Sequence, residues 1–147
     1  MVLDGGRNLD IEASPIHRVF TINAGVAVEL RNLGIEYGWG DLAGGILNRG
    51  TLTLRRCRVT NNYAFETCAS CTVGGGVASL GADATLTVIE STISNNTTAR
   101  AGWTGGGIAI DEGSATIRAS TIVANSTTAG IMAGGGIMSG GIVSKLR

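Results

Sequence analysis

The chain has 147 residues, enough for one domain with a core of its own. Eleven Lys and Arg balance eleven Asp and Glu, which excludes the basic excess that nucleic acid or an anionic membrane surface demands. Hydrophobic residues make up 44% of it, too many for disorder, and 24 Gly without a three-residue period beside a single Pro exclude collagen.

Gly, Thr, Ile and Val are abundant and helix formers few, which points to β structure. The opening residues, Met1-Val2-Leu3-Asp4, lack the basic start and apolar run of a secretory leader. From Ala27 a pattern recurs. Its first, degenerate copy runs Ala27-Val28-Glu29-Leu30-Arg31-Asn32-Leu33-Gly34-Ile35-Glu36-Tyr37-Gly38, followed by Ala43-Gly44-Gly45-Ile46. The next reads Thr51-Leu52-Thr53-Leu54-Arg55-Arg56-Cys57-Arg58-Val59-Thr60-Asn61-Asn62, and Gly74-Gly75-Gly76-Val77 comes after it. Then come Thr85-Leu86-Thr87-Val88-Ile89-Glu90-Ser91-Thr92-Ile93-Ser94-Asn95-Asn96 and Gly105-Gly106-Gly107-Ile108. The last full copy is Ser114-Ala115-Thr116-Ile117-Arg118-Ala119-Ser120-Thr121-Ile122-Val123-Ala124-Asn125, before Gly134-Gly135-Gly136-Ile137. The longest nearly all-apolar stretch, 129–143, is shorter than the about 18–20 residues of a spanning helix.

Within each copy apolar residues recur at period 2, with Thr53, Thr87 and Thr116 between them in the last three, a strand signal. Val28/Leu30, Leu52/Leu54, Leu86/Val88 and Ala115/Ile117 point to one side. Val59, Ile93 and Ile122 break that parity, so a bend lies between the halves of each copy. A repeat of about 30 residues then holds three short strands, and it cannot bury its apolar face alone. Stacking the copies about 4.8 Å apart buries a continuous core. The fold expected is all-β, a right-handed parallel β-helix of roughly four to five coils in one domain, 1–147. Residues 1–42 form a degenerate N-terminal coil, 43–73, 74–104 and 105–133 the repeat coils, and 134–147 an incomplete coil.

Three columns result from the alignment. Asn62, Asn96 and Asn125 form one, with Tyr37 and Gly38 near the same place in the first copy; an inward Asn at a corner bonds the backbone and the Asn of the next coil. Cys57, Ser91 and Ser120 form a second, which parity turns inward, so Cys57 is a small buried group. Arg31, Arg55 and Arg118 form a third, broken by Ile89 and read as a solvated face or as a basic stripe. Arg56 stacks on Glu90 as a surface ion pair of little worth.

These repeats resemble bacterial β-helix surface proteins related to the polymorphic outer membrane proteins, with a pectate-lyase-like superfold. Such repeats carry Gly-Gly with two apolar residues, then an aromatic or aliphatic residue, two others and Asn. Gly44-Gly45-Ile46-Leu47, Gly75-Gly76-Val77-Ala78 and Gly106-Gly107-Ile108-Ala109 match the first part. Val59-Thr60-Asn61-Asn62, Ile93-Ser94-Asn95-Asn96 and Ile122-Val123-Ala124-Asn125 match the second, with Val or Ile where Phe is usual. Leu3-Asp4-Gly5-Gly6 and Arg18-Val19-Phe20-Thr21-Ile22 resemble the start of secreted members. The resemblance implies secretion, the cell surface or the outer membrane. The chain stops within a repeat at Lys145-Leu146-Arg147 and reads as a fragment or a short gene product.

Candidate chemistry is sparse. In-register stacking brings Asp83 and Glu112 to adjacent coils, with Arg49 on the coil before, the one cluster suited to acid–base work on a polysaccharide. The turns that carry them differ in length, which favours a solvated turn. His17 is the sole histidine and no metal site by itself. Cys68 and Cys71 sit in an insertion, 63–73, where a local disulfide is the first expectation; reduced thiols and zinc come after it. No cofactor or metal is expected. Asn96-Thr97-Thr98 and Asn125-Ser126-Thr127 match glycosylation sequons incidentally to the Asn column.

The expected function is a non-catalytic structural or adhesive segment. Its loops 63–73 and 97–104, the latter with Trp103, contact surface glycans or matrix proteins. A polysaccharide lyase or glycoside hydrolase is the alternative, disfavoured because Trp39 and Trp103, the two Trp, supply no aromatic platform. A fragment without independent function is the third reading. Open coil ends expose strand edges and favour end-to-end self-association.

Overall fold

The alternation of apolar and hydroxyl residues is realised as strand pairing between repeats. The computed structural model describes residues 1–14, 16–65, 70–99, 103–128 and 132–146, and no helix occurs among them. The fold is all-β. Its strands pair in parallel and lie in four sheets of nine, five, four and three strands. One round of chain shows the path. Thr72–Gly74 belongs to the three-stranded sheet, Val77–Leu80 to the five-stranded, Thr85–Ile89 and Thr92–Ser94 to the nine-stranded, and Thr97–Ala99 to the four-stranded. Trp103–Gly105 then returns beside Thr72–Gly74. The chain therefore passes from sheet to sheet, with two successive strands of each round in the nine-stranded one, and each strand bonds its equivalent one round away. Such curled parallel sheets are compatible with a parallel β-helix or solenoid.

The register carries the repeat. Leu86 lies between Leu52 and Ala115, and Val88 between Leu54 and Ile117. These six residues are essentially without solvent contact, as are Leu30, Ile46, Val77, Ile93, Ile108 and Ile110, and together they fill one continuous core. Burying each such Leu or Ile contributes roughly 1.5–3 kcal/mol. The Thr residues between them face outward and are half-buried.

Where parity breaks, the backbone turns through the left-handed region. Asn32, Arg56, Glu90 and Ala119 hold φ of 52°, 50°, 50° and 46° at one bend. Tyr37, Asn61, Asn95 and Ala124 hold 54°, 56°, 55° and 54° at the next. Asn tolerates this region; the others cost about 1–2 kcal/mol each, which the stacked neighbours must over-determine. The recurrence of the same φ at matching places shows that the bends belong to the repeat.

Each round has more strands than the three its sequence suggests. The stretches expected as contact loops, 63–73 and 97–104, contain Tyr63–Phe65, Thr72–Gly74, Thr97–Ala99 and Trp103–Gly105 as paired strands. Three residues are too short for alternation to register, and Thr98 and Thr104 are buried although polar. The N-terminal strand Val2–Glu12 pairs with Ala27–Glu36 and lies along that edge of the nine-stranded sheet.

Candidate functional site

The interior polar columns are closed on themselves. The Nδ2 of Asn62 donates to Ile35 O, that of Asn96 to Val59 O and that of Asn125 to Ile93 O, each at 2.9 Å. The Oδ1 of Asn96 accepts from the Asn62 backbone N–H at 3.0 Å and from its Nδ2 at 2.9 Å, and Asn125 Oδ1 does the same for Asn96. Gly38 occupies this place in the first copy and donates its N–H to Asn62 Oδ1 at 2.8 Å. Asn62 and Asn96 are 1% and 0% exposed, so their polar atoms serve the corner backbone. Cys57, Ser91 and Ser120 make a parallel ladder: Ser91 Oγ accepts from Cys57 N–H at 3.0 Å, and Ser120 Oγ from Ser91 N–H at 3.1 Å. Burial pushes the Cys57 thiol up, away from the reactive thiolate. Asn48 is a further interior polar group, which alignment did not reveal; it donates to Ser79 Oγ and to Thr85 O.

The charges are distributed differently from the stacking expectation. Arg49, Asp83 and Glu112 are all exposed in turns after the five-stranded sheet. Leu80 pairs with Asp111 and Thr85 with Ser114, so Asp83 lies in the longer turn and Glu112 in the shorter. No ion pair joins the three among the described residues. The arginines engage carboxylates elsewhere. Glu29 accepts from Arg31 Nε at 2.8 Å and from Arg55 Nε at 3.3 Å, which takes up two of the three members of the basic stripe. Arg58 donates to Glu36 at 2.8 Å and to Asp10 at 2.7 Å. Arg56 bonds Asn32 Oδ1 and stands 3.7 Å from Glu90. The Arg31 hydrogen bond holds the Glu29 carboxyl below the usual range, and the Asn32 amide does so for Asp4. A catalytic general acid needs the opposite shift. Cys71 is disulfide-bonded and Cys57 is free; the other half of the expected staple, Cys68, lies outside the described residues.

The expectation of no aromatic platform counted Trp alone, and three aromatic rings lie together in the structure. Trp39–Asp41 and Tyr63–Phe65 pair with Trp39 opposite Tyr63 and Asp41 opposite Phe65. In both strands the middle residue, Gly40 or Ala64, points in and its neighbours point out. The Trp39 ring lies 4.4 Å from that of Tyr63 and 6.1 Å from that of Phe65, tilted by 36° and 50°. Trp39 is 43% exposed at the edge of its sheet, with Tyr63 on one side. A groove of about 410 Å³ opens over Trp39 and Phe65, walled opposite by Ile16, His17 and Arg18.

Local structure fixes this groove. The Trp39 N–H donates to His17 O at 2.8 Å, which ties the wall to the platform strand. Arg18 spans the base: Nε donates to Ala43 O at 2.9 Å, Nη1 to Thr21 Oγ1 at 3.2 Å and Nη2 to Asp41 Oδ1 at 2.6 Å. Gly40 lets the Ala43 carbonyl, which accepts from Arg18 Nε, approach closely, since a Cβ there would lie 2.5 Å from Ala43 O. Ile16, β-branched and 73% exposed, holds φ at 76° on the rim, a strained conformation. The signal for the platform is present in the chain. Trp39 follows Gly38, and Tyr63 follows Asn62, so the Asn column itself predicts that the two rings stack.

Comparison with family models, with curated proteins and with solved structures found no significant match to this chain.

Proposed function

We propose that this chain is a non-catalytic segment of a right-handed parallel β-helix, carried by a secreted or surface-exposed bacterial protein, with a structural and adhesive role. One observation carries the adhesive part. The large side chains that depart from the repeat, Trp39, Tyr63 and Phe65, gather outward on one face of a scaffold whose inward Asn column is hydrogen-bonded from round to round. Aromatic rings that are left exposed on a rigid sheet serve contact rather than folding. The carboxylates Asp10, Glu29 and Glu36 are held by arginines, which suits a stable surface better than proton transfer. The resemblance of the repeats to polymorphic outer membrane protein repeats supports display at a cell surface.

The test has two arms. The protein is incubated with pectin-like and alginate-like polysaccharides, with and without Ca²⁺, and products are measured; it is also passed over immobilised surface glycans and matrix proteins. Retention without turnover is expected. Turnover abolished by Asp83→Asn or Glu112→Gln would replace this reading with a polysaccharide-cleaving enzyme, and absence of both retention and turnover would leave a fragment without independent function.

A further inference from the structure

We propose that the groove between Ile16–His17–Arg18 and the Trp39–Phe65 platform binds a neutral saccharide, one pyranose ring lying flat on Trp39 with its hydroxyl edge toward Asp41 and His17. The inference deepens the adhesive reading and rests on it. Four observations select this ligand class. Trp39 is 43% exposed and lines the groove, and an indole ring suits a flat, weakly polar surface. The groove's polar side chains, His17, Arg18 and Asp41, supply hydrogen-bonding groups suited to sugar hydroxyls. The ion pair between Arg18 and Asp41 leaves the base locally neutral, so neither a carboxylated nor a phosphorylated chain gains a counter-charge there. The same neutral pair gives a quaternary ammonium no counter-charge beyond the ring itself. Arg18 is tied by bonds to three residues, so the groove is organised before any ligand arrives.

The experiment measures binding to soluble cellohexaose, xylohexaose and mannohexaose by calorimetry and by Trp fluorescence, with oligogalacturonate and a proline-rich peptide as competitors. At least one neutral hexasaccharide should bind, with affinity unchanged between about 0.05 and 0.5 M salt because no ion pair with the ligand is formed. Trp39→Ala should weaken it about tenfold and Phe65→Ala about threefold, because Trp39 carries the sugar and Phe65 only borders it. Val123→Ala, at an exposed position on the nine-stranded sheet, should leave it unchanged and serves as the control. Far-UV circular dichroism confirms that each variant is folded. Unchanged affinity in Trp39→Ala, exclusive binding of oligogalacturonate with salt sensitivity, or binding of the peptide alone would overturn the proposal. If Trp39→Ala still adheres to immobilised surface glycans or matrix proteins, the groove proposal fails and the adhesive reading stands. If the wild-type protein binds nothing in either assay, both fail.

Discussion

Two columns of residues lie side by side along this molecule and obey opposite rules. Gly38, Asn62, Asn96 and Asn125 face inward, and each Asn is bonded to the next. The residues immediately following them, Trp39, Tyr63, Thr97 and Ser126, face outward on paired strands and change at every step. One residue of sequence separates the columns, and strand geometry sends them to opposite sides. In the inner column each side chain completes the bonding of its neighbour, so identity must repeat. In the outer column no bond requires the same residue at each step, and the chain is aromatic at one end and hydroxylic at the other. Repetition here marks scaffold, and departure from repetition marks the surface available for function.

The sharpest way to break the inner column is to crowd it. The glycine triplets precede the five-stranded sheet because backbone meets backbone there: a Cβ on Gly75 would sit 2.2 Å from Gly106 O and 2.8 Å from Thr97 N. Neither atom belongs to a flexible side chain. Gly75→Ala should therefore cost about 3 kcal/mol or more, read as a fall in the urea midpoint. Asn96→Ala comes next. It removes the acceptor of the Asn62 N–H and the donor to Val59 O, both buried, and should cost about 2–3 kcal/mol by the same measurement. A loss below about 0.5 kcal/mol at Asn96 would mean that the ladder is incidental to stability.

Much of the inner half could be read from the chain, for reasons that also explain what could not. Leu52/Leu54, Leu86/Val88 and Ala115/Ile117 announced the strands, and the parity break at Val59 and Ile93 announced a bend, because burial imposes a period on identity. The turn residues Arg56 and Glu90, with positive φ, share no chemistry, so the bend's geometry was silent. Strands of three residues such as Thr97–Ala99 give no period to detect. The aromatic groove needed two facts at once: that Trp39 and Tyr63 share a register, and that His17 and Arg18 return beside them. The first follows from the Asn column. The second depends on hydrogen bonds across sequence gaps, such as Arg18 to Asp41, that no repeat encodes. The Arg58–Asp10 pair was hidden likewise, because Val2–Glu12 carries no copy of the repeat.

The second inward ladder gives a prediction of intermediate size. Cys57 stands where Ser91 and Ser120 stand, 3% exposed, with its Sγ 3.2 Å from Leu30 O. A thiol in that position is reached by reagent only when the coil opens. In fully reduced protein, Cys57 should label orders of magnitude more slowly under native conditions than in denaturant, and its rate should rise in parallel with destabilisation by Asn96→Ala. Rapid native labelling, identified by peptide mass, would mean that the Cys57–Ser91–Ser120 column does not face inward.

The smallest expected effect tests the outer column from the opposite direction. Thr97 lies in register with Tyr63 on one side and Ser126 on the other, half-exposed, and its hydroxyl meets Ser126 Oγ at 3.0 Å near solvent. Replacing it by Tyr would extend the Trp39–Tyr63 stack by one coil. The hydroxyl bond that this removes is exposed and worth little, whereas an aromatic cross-strand pair contributes about 0.2–1 kcal/mol. Thr97→Tyr should then shift stability by no more than about 0.5 kcal/mol, neutral to slightly favourable, although the adjacent Asn96 tolerates almost no change. The urea midpoint measures the net effect, and a double-mutant cycle with Tyr63→Ala separates ring stacking from removal of the hydroxyl. A destabilisation above about 1 kcal/mol would show that the outer column is packed as tightly as the inner one, and the division between scaffold and free surface would no longer hold at this coil.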